Sequence, residues 1–391
     1  MIYVGIDVAK DKHDCFIMDS DGTVLFDVFT ISNTRTGFME LLDCIKSVAR
    51  SSENVTIGLE STGHFSYNIQ SFLTDNNMPP VVINPLYTNQ FRKATSLRRT
   101  KTDRIDARNI AFLLSSGFDF KPCRCESYHI SELKSLTRYR FEKAQERGRL
   151  KVSVTRLVTI LFPELLHCVY SIHSTAIYQM LLNYPSAKLI AEAHLTRLSS
   201  LLNKYSLNHF KKDFAIRVRA EARQSIGIDL RAKSIELQHT IKLIQEYDRE
   251  INELDELIKD YMNQLHSPIT TIPGIGTNLG SIILAEIGDI NRFENADKLL
   301  AFSGMSPSTY QSGTYESSNA RMEKRGSKYL RYALFNAARY VCQWDPTFAA
   351  YLEKKQSEGK HYYVALSHVV KKLVRVIFHL LKTNQRYIPQ R

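Results

Sequence analysis

The sequence predicts an α/β N-terminal domain with a mixed sheet, a long helical middle and a mostly α C-terminal domain. Three observations predict this. The first 85 residues alternate short apolar runs with segments of helical period. From about residue 130 to 265 helix formers dominate, and a heptad seam runs through the last third of that stretch. After Leu265 the texture changes to Gly-, Pro- and Thr-marked segments followed by helices. With 391 residues the chain can bury two or three real cores. The boundaries fall at 1–125, 126–265 and 266–391.

Taken in order, "IYVGIDVA" is an apolar strand ending in an acid, Asp7. "HDCFIMDSDGTVLFDVF" reads as two strands joined at Asp21-Gly22, a turn pair that tolerates positive φ. "GFMELLDCIKSVA" places Phe38, Leu41, Leu42 and Ile45 on one helical face. "NVTIGLE" is a strand closed by Glu60, "FSYNIQSFLTDN" a helix, and "PPVVINP" a buried strand closed by Pro85. A helix follows from about Thr102 through Leu113. The order is β-β-β-α-β-α-β-α. In the middle, Leu237, Ile241, Ile244, Ile251, Leu254, Ile258, Tyr261 and Leu265 form the seam, with heptad steps from Ile251 onward. Two uses are open: an amphipathic helix packed within its own chain, or a coiled coil for self-association.

Lys and Arg number 52 against 40 Asp and Glu, a net charge of +12. Such an excess favours a polyanionic partner, usually nucleic acid. The six cysteines (Cys15, Cys44, Cys123, Cys125, Cys168 and Cys342) show no paired C-x-x-C spacing, which argues against a zinc site and for reduced thiols. The chain opens directly into a strand pattern, and no apolar run approaches the roughly 18 residues of a membrane span. The expectation is a cytoplasmic, nucleoid-associated protein without a membrane partner.

Between Arg92 and Arg108 seven Lys and Arg surround two acids, Asp103 and Asp106. Spacing i, i+3 puts both on one helical face. Asp103 alone could be a first-turn helix acid, with Thr102 as N-cap. That does not explain Asp7 or Glu60, because carboxylates at the ends of apolar strands are costly unless paired or metal-bound. Neighbouring strands would bring Asp7 and Glu60 together, and a helix packed there would add Asp103 and Asp106. Four clustered carboxylates call for divalent cations, and hard oxygen ligands select Mg²⁺ or Mn²⁺. Two such ions would stabilise attacking and leaving oxygens of a phosphodiester. Arg92, Lys93, Arg98, Arg99 and Lys101 would hold the phosphates that the acids alone reject.

"GIDVAK", "GLESTGH" and "KTDRIDARNIA", in this order, resemble the N-terminal domain of the DEDD transposases of bacterial insertion sequences, RuvC-like recombinases of the bridge-RNA-guided, serine recombinase type. The resemblance implies an RNase H-like fold with Asp7, Glu60, Asp103 and Asp106 as catalytic metal ligands. It also implies DNA as donor and target, an element-encoded bridge RNA, and a homo-oligomer, a dimer or a tetramer assembled through the coiled coil. Other readings stay in view. The opening strands also resemble the first phosphate loop of the actin and sugar-kinase fold, whose second glycine-rich loop is not evident here. A RuvC-like Holliday-junction endonuclease that only hydrolyses would use similar acids, and a non-catalytic nucleic-acid-binding protein would share the charge.

"TIPGIGTNLGSIILAEIGD" looks like a helix-hairpin-helix, whose Gly274 and Gly276 would let backbone N–H groups approach a phosphate; a plain glycine-rich helix connection fits as well. Pro307, Ser312-Gly313 and "KRGSKYLRYALFNAA" fit the family's C-terminal pattern, and the resemblance makes Ser312 the nucleophile that joins DNA. Composition does not single it out, since Ser303, Ser306, Ser308, Ser317 and Ser318 lie nearby. No His occurs from Ser303 to Arg331, so the metal site would have to activate the hydroxyl. Arg321, Lys324 and Arg325, with Lys328 and Arg331, would contact phosphates. Trp344 and most Tyr and Phe residues are expected in the core.

Overall fold

The computed structural model describes residues 1–49, 51–60, 63–95, 103–117, 128–306, 311–312, 315–316 and 322–389. The chain divides into two compact units, Met1–Cys125 and Glu126–Arg391.

In the first unit β1 (Ile2–Val8), β2 (Lys12–Asp19), β3 (Val24–Ser32), α1 (Arg35–Val48), β4 (Val55–Glu60), α2 (Tyr67–Asp75), β5 (Val81–Ile83), α3 (Pro85–Thr95) and α4 (Asp103–Ser115) follow in the expected order except for α3, a helix the sequence pattern did not announce. The sheet order is β3-β2-β1-β4-β5. β1 to β3 are antiparallel neighbours, and β4 and β5 add in parallel. Strand periodicity sorts β1 onto two faces. Ile2, Val4, Ile6 and Val8 join Ile57 and Leu59 in a core with the buried side of α1 and α2. Tyr3, Gly5 and Asp7 take the other face, which α4 covers with Ala107, Ile110, Ala111 and Leu114.

The second unit is built on two long helices, α5 (Tyr128–Leu161) and, after five shorter ones, α11 (Arg231–Leu265). The five are α6 (Leu165–Cys168), α7 (Thr175–Asn183), α8 (Ala187–Glu192), α9 (Leu195–Tyr205) and α10 (Lys212–Arg223). They close one core with the C-terminal half of α5 and the N-terminal half of α11. A second core forms around the other ends of this pair. It contains α12 (Thr277–Ile287), α13 (Ala296–Phe302), α14 (Lys328–Trp344), α15 (Pro346–Ser357) and α16 (Tyr362–Thr383). Between α13 and α14 lie two short strands, β6 (Gln311–Ser312) and β7 (Tyr315–Glu316).

The partner of the heptad seam lies within the chain. Leu237, Ile241, Ile244, Ile251, Leu254 and Ile258 are buried, and α11 runs antiparallel to α5. Ion pairs record the register: Arg140–Asp255 at 2.5 Å, Lys143–Glu250 at 2.8 Å, Arg147–Asp248 at 2.5 Å and Arg156–Glu236 at 2.8 Å. As one number rises the other falls, as antiparallel pairing demands. The seam is therefore packed inside one chain, the first of the two uses the sequence left open.

One further expectation changes. Trp344, at the end of α14, is 69% exposed and not a core residue. In the glycine-rich segment a short 3₁₀ turn, Pro268–Thr271, precedes α12. Gly274 has φ +87°, and a Cβ there would stand 2.7 Å from the Tyr340 carbonyl carbon. It is glycine because the backbone of α14 passes against it. Gly276 has φ −82°, precedes α12, and has open space around it. Among the described residues no helix is long and apolar enough to cross a membrane.

Candidate active site at the carboxyl edge of the sheet

Asp7 and Glu60 occupy the carboxyl ends of adjacent parallel strands. The β1–β4 ladder ends at Ile6↔Leu59, so Asp7 and Glu60 are the next rung, on the face that Gly5 and Gly58 share. Two glycines on that face let α4 lie directly on the strands. A Cβ on Gly5 would stand 2.0 Å from the Ala107 carbonyl oxygen, and one on Gly58 would stand 2.7 Å from Leu114 Cδ1.

Helix α3 ties the first turn of α4 to the same edge. It starts immediately after β5, with Asn84 Oδ1 accepting from the Leu86 N–H at 3.0 Å. Thr88 and Arg92, one turn apart and so on one side of α3, reach two different acids. The Thr88 hydroxyl donates to Glu60 Oε2 at 3.0 Å. Arg92 pairs with Asp106 at 3.9 Å and donates to Asn89 Oδ1 at 3.1 Å. Glu60, on a strand, and Asp106, on a helix 46 residues later, thus share one supporting surface. Asp103 is the first residue of α4, three positions before Asp106.

The sequence reading missed a further acid. Asp14 lies directly opposite Asp7 in the antiparallel register, and opposite residues share a face at about 4.5–5.5 Å between Cβ atoms. It is 6% exposed and accepts from the Thr30 hydroxyl at 2.5 Å. A row of Thr30, Asp14, Asp7 and Glu60 therefore crosses four strands. The neighbouring His13 belongs to the opposite face: it is buried, stacks on Phe38 at 5.8 Å, and burial lowers its pKa below the usual imidazole value. It is a neutral core histidine.

This edge offers carboxylate oxygens without thiol or imidazole, a donor set suited to hard divalent cations. Among the described residues no three His, Cys, Asp or Glu side chains form a group that could hold a metal ion as they stand. Arg92, expected to hold a phosphate, pairs here with Asp106. Arg98, Arg99, Lys101 and Arg321 lie outside the described residues.

In the second unit, Ser312 ends β6, and Gln311↔Glu316 and Ser312↔Tyr315 pair across a minimal hairpin. The stem of the surrounding loop is clasped backbone to backbone. Glu323 N–H donates to the Ser306 carbonyl at 3.1 Å and Lys324 N–H to the Gly304 carbonyl at 3.1 Å. Gly304 (φ +70°) and Gly326 (φ +109°) make the closeness possible: a Cβ on either would stand 2.1 Å and 2.0 Å from the Arg325 and Phe302 carbonyl oxygens. Arg331 braces the stem by donating to the Ser303 and Lys324 carbonyls at 3.3 and 3.2 Å. Lys324 and Arg325 are exposed on this stem.

Just past it, Ser327 accepts from Leu330 N–H as the cap of α14 and donates to Glu286 Oε2 at 2.7 Å. Glu286, 1% exposed, also takes both prongs of Arg138 at 2.6 and 2.9 Å. Burial works to raise its pKa, but the hydrogen bonds from Arg138 and Ser327 outweigh burial and hold it below the ordinary value. The only sequence signals for this stem were two lone glycines bracketing a serine-rich loop.

Residues 4–163 match the DEDD transposase model of IS110 elements, and residues 266–353 match the model described as the transposase of the IS116/IS110/IS902 family. Together they place the chain in the IS110/IS116 transposase family. Along nearly its whole length this transposase is similar to curated proteins. It is 24% identical to an uncharacterized 44.8 kDa protein of insertion element IS116 from Streptomyces clavuligerus, over 99% of this chain and 96% of that one. It is 24% identical to an uncharacterized 42 kDa protein of IS900 from Mycobacterium paratuberculosis, over 99% and 97%. It is 23% identical to a pilin gene-inverting protein of Moraxella bovis, over 98% and 97%. The first matched span of the transposase contains Asp7, Asp14, Glu60, Asp103 and Asp106; the second contains Ser312 and its stem.

Proposed function

We propose that this transposase cuts and rejoins DNA at the ends and target of an insertion sequence through a carboxylate–metal site and a covalent phosphoserine. The observation that carries the reading is that Asp7 and Glu60 end adjacent strands while α3 links Glu60, through Thr88, and Asp106, through Arg92, at the same sheet edge. We read the first 125 residues as an RNase H-like, RuvC-like domain, 126–265 as a helical spacer and 266–391 as the serine-bearing part. Asp7, Glu60, Asp103 and Asp106 would hold two Mg²⁺ or Mn²⁺ ions. Bound there, the ions would supply Lewis-acid stabilisation of charge on the phosphoryl oxygens and on the serine oxygen.

The chain's own part is a transesterification. Ser312 Oγ bonds to phosphorus while the P–O bond to one sugar oxygen breaks, and the serine proton ends on that departing hydroxyl. A hydroxyl of another strand then reverses the step, releasing the serine. One ester replaces another, so rejoining needs no high-energy cofactor. Lys324 and Arg325, exposed beside the loop stem, would hold phosphates, as would Arg98, Arg99, Lys101 and Arg321. Gly276, with open space at the start of α12, is placed to let DNA backbone approach; Gly274 is committed to packing. The family resemblance further suggests an element-encoded bridge RNA pairing with donor and target DNA, and action as a dimer or tetramer in the cytoplasm.

The test is a protein–DNA adduct. Purified protein is incubated with Mg²⁺, element-end DNA and the flanking non-coding RNA, denatured, and resolved by size. An adduct that disappears in Ser312→Ala and in Asp7→Asn is expected. Cleavage without an adduct, unchanged in Ser312→Ala, would replace this reading with a RuvC-like hydrolytic endonuclease.

A further inference from the structure

The second unit carries a groove of which the catalytic reading uses only the basic rim beside the loop stem. It has a volume of about 830 Å³ and lies between α14 and α16, beside the loop stem. Lys324, Lys328, Arg331 and Lys371 supply four cations to its lining, and among the described residues no Asp or Glu lines it. Its walls also hold Tyr332 and Tyr363, which are 46% and 64% exposed. Helical spacing explains the convergence. Lys328, Arg331 and Tyr332 repeat at three and four residues on α14, and Tyr363 and Lys371 are eight apart on α16.

We propose that this groove binds a single-stranded nucleic-acid segment with unstacked bases. The charge excludes cationic and disfavours neutral occupants, and a lining of four cations with no acid among the described residues matches a phosphate backbone. A duplex would satisfy the cations but keep its bases stacked on each other, making no use of the exposed parts of Tyr332, which meets Phe141 edge to face, and Tyr363, which stacks on His361. A single strand uses both features, since every base has a face that can stack on an aromatic ring. The volume lies within the range of roughly 300–1,000 Å³ that ligand sites occupy. Other aromatic residues are exposed too, Tyr340 and Trp344 on α14 among them, but it is Tyr332 and Tyr363 that line this basic groove.

The inference rests on the reading of this chain as an enzyme of nucleic acids, but its test needs no catalysis. Binding of fluorescently labelled oligopyrimidine DNA, the matching RNA, and a DNA duplex of equal length is followed by anisotropy with the full chain in EDTA. Single strands are expected to bind more tightly than duplex, and the tighter of DNA and RNA names the source of the strand. Tyr363→Ala should weaken single-strand binding about tenfold while Tyr363→Phe, which keeps the ring, does not. Lys371→Ala should weaken it and lower the salt dependence by about one ion. Single-strand binding equal to wild type in both Tyr363→Ala and Lys371→Ala would overturn the groove. That result would leave the carboxylate–serine reading standing, and a missing phosphoserine adduct would leave the groove standing.

Discussion

Gly5 of β1 lies directly beneath Ala107 of α4, so closely that a Cβ at position 5 would meet the Ala107 carbonyl oxygen at 2.0 Å. The obstacle is backbone, which cannot rotate away. Gly5→Ala must therefore push α4 off the sheet and carry Asp106 away from Glu60. The expected result is a loss of roughly 1–3 kcal/mol in stability, typical of overpacking, with loss of DNA cleavage. Gly148→Ala is the control. It sits in mid-helix with nothing within 4 Å, so it should stabilise by about 0.5–1 kcal/mol and leave cleavage alone. Thermal melts and cleavage assays on the pair check both.

Neutralising the carboxylate edge should separate stability from metal response. Asp7, Asp14 and Glu60 share one face within two strand spacings, so like charges repel when no cation is present. Asp7→Asn and Glu60→Gln should melt at or above the wild-type temperature in EDTA. On adding Mn²⁺ the wild type should gain stability by mass action, about 2.7 kcal/mol at a hundredfold excess over Kd, and the variants little. An equal gain in all three proteins would remove these residues from the metal site.

The strand and helix order of the first unit, α3 apart, was legible because each element buries one face and shows its period. The acids Asp7 and Glu60 were legible because they interrupt apolar strands at their ends. Asp14 was not. It sits inside "HDCFIM", a strand buried on both faces, and only the β1–β2 register reveals that it faces Asp7. The heptad pattern of α11 announced a seam but not who fills it; the partner residues Arg140 and Lys143 are over 100 positions away. Nothing in the sequence singles out Glu286; only the packing of α5 and α14 around it does.

Glu286 gives the second unit a defined acid limit. Its folded pKa lies below its ordinary value of 4.5, so its contribution is fully present above 4.5 and is lost as pH falls through the depressed folded value. Glu286→Gln removes that term. The variant should be less stable at neutral pH by about 1–3 kcal/mol, a figure kept modest because Arg138 is one-third exposed to screening solvent. The gap to wild type should close as pH drops below 4.5. Melting temperature against pH for both proteins reads this directly. Because Ser327 would lose its acceptor, the start of α14 and the loop stem beside it should also become more sensitive to proteolysis.

The two glycines of the α12 approach should respond oppositely to the same substitution. Gly274 combines φ +87° with the Tyr340 backbone 2.7 Å from where a Cβ would be. Gly274→Ala therefore meets both torsional strain and a clash, and should destabilise by more than about 1 kcal/mol whether or not DNA is present. Gly276 has φ −82° and free space, so alanine fits without strain. Gly276→Ala should leave the melting temperature within about 0.5 kcal/mol of wild type. If DNA backbone approaches the start of α12, the added methyl stands in its way and duplex affinity falls while the fold is intact. Unchanged affinity in Gly276→Ala would reduce the segment to a helix connection, with Gly274 retained for packing alone.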